Sequence, residues 1–116
     1  MLWEAEVRGV KTHISVAHHA NRIFLIISQD GNIGTLVHAQ KDNPVEHGQT
    51  GTFSAKVLLG RRDADIVEVY ARTLIELVSK RLDVPLLLGI SLKDESPEMF
   101  RAILKHMDEL GVLYPK

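Results

Sequence analysis

The chain has 116 residues, 45% hydrophobic and 25% charged, with a formal net charge of -1 and a pI near 6.6. That balance fits a single globular domain over residues 1–116 and supplies no basic field to gather nucleic acid. Cysteine is absent, so the inventory alone excludes disulfides, thiolate nucleophiles and cysteine-based zinc sites.

The opening, MLWEAEVRGV, carries acids where a secretory leader would be basic. No apolar run approaches the roughly 18 residues of a membrane span. The expected location is therefore cytoplasmic or nuclear, away from a membrane. Trp3, Ala5 and Val7 alternate with Glu4, Glu6 and Arg8, the period of a half-exposed strand. Gly9 interrupts it. Alternation then resumes, with Thr12, Ile14, Val16 and His18 on one face and Lys11, His13, Ser15 and Ala17 on the other.

Residues 23–27, IFLII, form an unbroken apolar run of the kind expected of a strand buried on both faces. Asp30-Gly31 has the chemistry of a two-residue type I′ turn, and residues 33–39 run back as another strand. This reading makes a central hairpin in which Ile27 faces Gly34 and Leu25 faces Leu36. Residues 41–52, KDNPVEHGQTGT, read as a long polar loop, and residues 53–59 as a further strand.

The period then changes. Ile66, Val69, Tyr70, Thr73, Leu74, Leu77 and Val78 are spaced as one face of a helix, widened by Val67, Ala71 and Ile75. Asp65 with Glu68, or Asp63, supplies a cap. Pro85 marks a break, and residues 86–92 read as an apolar strand. Ser96-Pro97-Glu98 has the form of a helix start. Met99, Phe100, Ile103, Leu104 and Met107 make its stripe, and Gly111 its stop.

Strands first, then helix, strand and helix, give an α+β fold: one antiparallel sheet of about six strands with two helices on one face. At roughly 4.8 Å per strand such a sheet is about 25–30 Å wide, and two helices cover one face at most. The uncovered face, if apolar, needs another chain. The interface candidates are Trp3, an aromatic on a terminal strand, Ile14, Val16 and His18 on one strand face, and Pro44, Val45 and His47 in the long loop.

No catalytic constellation emerges. His18 and His38 are the one histidine pair that strand pairing could join, and no suitably spaced acid supports a metal there. Ser28, Asp30 and His38 lack a nucleophile elbow and would lie at opposite ends of their strands. The stretch Gly31-Asn32-Ile33-Gly34 lies between two strands rather than before a helix, so it builds no phosphate cradle. No catalytic, cofactor-binding or metal-binding residue is expected. The competing readings are a small dimeric adaptor and an enzyme using strand-borne histidine and carboxylates.

Several blocks resemble the third proteasome assembly chaperone family. They are Gly31-Asn32-Ile33-Gly34-Thr35-Leu36-Val37 after the apolar strand, Lys56-Val57-Leu58-Leu59-Gly60 before the long helix, and Leu92-Lys93-Asp94 beyond the last strand. Gly9-Val10, Thr12 and Val16 lie at matching spacing upstream. The resemblance runs from about residue 9 to residue 94, and the loop at 41–52 departs from it. It implies a non-enzymatic α+β protein without cofactors. It also implies pairing with the fourth assembly chaperone, or self-association, and binding to proteasome α-subunits during α-ring assembly, with departure before the particle matures.

Overall fold

In the computed structural model, which describes residues 2–42, 52–60, 65–80 and 84–111, eight elements follow in order. They are β1 (Leu2–Val7), β2 (Val10–His19), β3 (Arg22–Ser28), β4 (Thr35–Lys41), β5 (Phe53–Leu59), α1 (Asp65–Ser79), β6 (Leu86–Ser91) and α2 (Pro97–Leu110). The strands form one mixed sheet in the order β1-β2-β3-β6-β4-β5. It is mostly antiparallel, as expected, but β3 and β6 run parallel.

That parallel pair overturns the expected central hairpin. β6 inserts between β3 and β4, so Leu25 faces Leu88 rather than Leu36, and Ile27 faces Ile90 rather than Gly34. The ends to be joined are then two strand spacings apart, roughly 10 Å, too far for a two-residue turn. The link at residues 29–34 is wider: the Asp30 carboxylate accepts the Asn32 amide at 3.0 Å, and Gly31 has a φ of 83°. The insertion follows from composition. Leu86, Leu88, Gly89 and Ile90 are all buried, and a central position covers the helix-side face of such a strand while satisfying both of its edges.

Both helices lie on the same side. Thr12, Ile14, Val16, Ile23, Leu25, Ile27, Val37, Ala39, Leu86, Leu88 and Ile90 point into the core beneath them. α1 presents Val67, Tyr70, Ala71, Leu74, Ile75 and Val78. Its buried arc is centred on the residues that only widened the expected stripe, and Val69 is left 45% exposed. α2 presents Met99, Phe100, Ile103 and Met107, and Tyr70 stacks on Phe100 with ring centroids 3.8 Å apart, joining the two helices. The ends of α2 are as the sequence implies. Ser96 accepts the Met99 amide at 3.3 Å, Pro97 opens the first turn, and Gly111 closes the helix in the left-handed region at φ 66°.

Candidate protein interface

The face away from the helices carries a second apolar surface. The register of the sheet places Leu2, Ser15, Ile26, Gly89, Leu36 and Leu59 in one row across all six strands. The next row holds Ala17, Phe24, Leu87, His38 and Lys56. A bulge between Leu36 and Val37 on β4 places Leu58 beside Leu59 on the edge strand. Phe24, Ile26, Leu36 and Leu87 are only half-buried, while Leu2 is 68%, Leu58 51% and Leu59 70% exposed. Ile33 folds back over Gly89: a Cβ built there would meet its Cγ2 at 2.8 Å. The glycine thus makes room for an isoleucine that is itself 52% exposed. Beside this ridge lies a shallow hollow of about 330 Å³ lined by Leu2, His13, Ser15, Ile26, Ser28 and residues 31–33.

Polar groups border the apolar rows. Glu4 pairs with Lys11 at 2.8 Å on the β1 side, an exposed contact worth little to stability. At one end of the face, Gln29 and Asp30 tie three segments together. Buried Gln29 donates to Thr12 Oγ1 at 3.1 Å and accepts the amides of Lys93 and Asp94 at 2.9 and 3.3 Å. The Asp30 carboxylate accepts from Ser91 Oγ at 2.6 Å and from Ser28 Oγ at 3.4 Å. The Ser91 hydroxyl, then the Asn32 amide, stabilise the carboxylate and hold the pKa of Asp30 below its ordinary value of 3.8. A lowered native value contributes stability that is full above pH 3.8 and fades as pH falls through the native value. Asp30→Asn is therefore expected to lower the urea midpoint at pH 7, with the gap to the parent narrowing at pH 3; a gap that is equal at both pH values would refute an ionised role.

On the helix side a cleft of about 510 Å³ opens between Asp30, Thr35, Gly60, Tyr70, Ser91 and Glu95. Its polar groups serve the fold. Tyr70 donates to the Glu95 carbonyl at 2.6 Å, and burial, aided by the negative Glu95, Glu98 and Asp94, pushes its hydroxyl above the ordinary range so that it remains a donor. No histidine, lysine or arginine lines this cleft among the described residues. Nor do the described residues contain a group of three or more His, Cys, Asp or Glu side chains placed to hold a metal.

The structure redistributes the expected interface residues. Ile14 and Val16 are 0% and 2% exposed and lie beneath the helices, so they are core residues and not surface candidates. Trp3 is half-buried and packs at the edge of that core. His18 is exposed near the end of β2. Pro44, Val45 and His47 lie outside the described residues, as does Asp63, the alternative cap. His18 and His38 do not meet: β3 and β6 separate their strands, and they project from opposite faces of the sheet. Leu2, Phe24, Ile26, Ile33, Leu36, Leu58, Leu59 and Leu87 are not among the interface residues expected from the sequence. The signal for them was in β2, whose Lys11, His13 and Ser15 side is the more polar. Helices cover the more apolar side, and the β2–β3 register then assigns Phe24 and Ile26 to the open one.

Known proteins share this architecture and resemble this sequence. The family model of proteasome assembly chaperone 3 matches residues 25–110. Proteasome assembly chaperone 3 of Nematostella vectensis is 31% identical over 114 residues, covering 91% of this chain and 84% of that protein. The Homo sapiens and Mus musculus proteins of that name are each 30% identical over 98 residues, covering 84% of this chain and 80% of theirs. A chain from the crystal structure of a chaperone complex for yeast 20S proteasome assembly superposes with a TM-score of 0.77 at 16% identity, covering 94% of this chain and 96% of that one. With the fold shared and the sequence similar over most of its length, the chain belongs to the proteasome assembly chaperone 3 family, a non-enzymatic class.

Proposed function

We propose that this protein is a non-enzymatic chaperone that pairs through its open sheet face and, as a dimer, binds proteasome α-subunits and promotes α-ring assembly of the 20S proteasome. One observation carries the reading: both helices lie on one side of the sheet, and the other side holds Phe24, Ile26, Leu36 and Leu87 with no element of the described chain over them. A continuous apolar face of this kind is stable in water when another chain covers it. Its partner is a chain of similar fold, either one like the fourth assembly chaperone or a second copy. The work is done by surface complementarity, in the cytoplasm or nucleus, without cofactor, nucleic acid or membrane. The α-subunits are held by surfaces that the pairing leaves free.

Phe24→Asp tests this. It places a charge in the middle of the open face while leaving the helix-side core intact. The expected result is a protein that melts cooperatively, scatters light as a monomer of about 13.0 kDa and no longer retains purified α-subunits, whereas the parent is dimeric at micromolar concentration and retains them. A parent that is monomeric, alone and with its family partner, yet binds α-subunits would overturn the proposal.

A further inference from the structure

Resting on that reading, we infer that the free edge of β5 is where an α-subunit is held: an extended segment of the α-subunit joins the sheet as a further strand beside residues 53–57. β5 ends the strand order and hydrogen-bonds only to β4 among the described residues. The Asp42 amide donates to the Thr52 carbonyl at 2.8 Å, and in antiparallel pairing the residue pairs that exchange such bonds alternate with pairs that do not. Carried along the register, that phase turns the backbone groups of Thr52, Ser54 and Lys56 toward β4. Phe53, Ala55 and Val57 therefore each turn an N–H and a C=O outward, where no strand of the described chain receives them. Such a row is a template for an incoming strand.

The side chains of β5 define the strand that fits. Phe53, Ala55 and Val57 are half-buried against the helix-side core, so the incoming strand is apolar on that side. Ser54 and Lys56 are exposed on the other side. Lys56 is the one charged residue of β5 and forms no ion pair among the described residues, so the matching position carries an acid. Further along, exposed Leu58 and Leu59 stand at the bulge, beside a hollow of about 260 Å³ lined by residues 57–60. That hollow seats an apolar side chain at the end of the segment. β1, the opposite edge, turns the same segment away, because Glu4 and Glu6 lie on it and charge of this kind blunts an edge. A second copy fits β5 less well. The register of fullest overlap, antiparallel about Ala55, sets the two Lys56 side chains on a diagonal roughly 7–8 Å apart, like charge beside like. The edge also stays accessible when the open face is covered, because its hydrogen-bonding groups point along the sheet and not out of its face.

Amide exchange read residue by residue by NMR on the paired, full-length protein tests this, with purified proteasome α-subunits added one at a time. Before addition, the Ser54 and Lys56 amides are expected to be protected and those of Phe53, Ala55 and Val57 to exchange many-fold faster. In the complex the second set joins the first. Alternation that persists in the complex would overturn the inference while leaving α-subunit binding, and so the proposed function, in place. Protection of Phe53, Ala55 and Val57 in the chaperone alone, deepening with its concentration, would make a second copy the occupant and overturn it as well. A parent that retains no α-subunit would bring down both. Ala55→Pro removes only an outward N–H, a change that edge strands accept. It is expected to stay paired, to melt near the parent and to bind the α-subunit about tenfold more weakly or worse. Lys56→Glu alters an exposed side chain and reads the same edge should Ala55→Pro fail to fold; it is expected to weaken binding several-fold at an unchanged melting temperature. Undiminished binding by a folded variant of either kind would overturn the inference.

Discussion

Val16→Asp is expected to unfold this protein. Val16 is 2% exposed, faces Leu25 on β3 and lies in the core beneath the two helices. A carboxylate there has no cationic partner among the buried residues of the described core. An uncompensated buried charge costs about 3–5 kcal/mol, a large share of the roughly 5–15 kcal/mol that holds a domain of this size together. The expected readout is a drop of most of the urea midpoint, or no cooperative transition at all, together with loss of pairing as a consequence. On the open face the order is reversed: Phe24→Asp loses pairing while the midpoint stays near that of the parent. Val16→Asp with a normal midpoint and lost pairing would show that the strand faces are assigned the wrong way round.

Gly34→Val has the second large effect, and two separable causes produce it. Gly34 has a φ of 71°, where a side chain costs about 1–2 kcal/mol. A Cβ at Gly34 would also overlap the Ile90 carbonyl oxygen and lie 2.6 Å from Ser91 Cβ. β6 is held on both edges, so its backbone has little room to yield. Overpacking of this kind adds about 1–3 kcal/mol, and the expected total is about 2–5 kcal/mol. Gly31 provides the control. Its φ is 83° but nothing lies within 4 Å of its would-be Cβ, so Gly31→Val carries the strain alone. Urea midpoints should fall distinctly further for Gly34→Val than for Gly31→Val. Equal falls would mean that the close approach to β6 has no energetic weight.

These two substitutions trace the boundary between what the chain states locally and what assembly decides. Sequence by itself determined the strands, the two helices, the cap at Ser96 and the stop at Gly111, because each depends on neighbours within a turn or a strand. It also determined the family, through blocks that keep order and spacing, and the principle that two helices leave one face bare. The tertiary structure alone decided the partner of β3. Residues 23–27 and 33–39 are close in sequence and look like a hairpin, but the strand beginning at Leu86 gains more by entering between them, where Leu86, Leu88 and Ile90 are buried beneath the helices and both of its edges are paired. Ile14 and Val16 became core, and Phe24 and Ile26 surface, for a related reason. Alternation shows that a strand has two faces but not which one the helices will cover. That choice is made by contacts between residues as far apart as Leu25 and Leu88, whose side chains become neighbours only once the sheet has closed around β6.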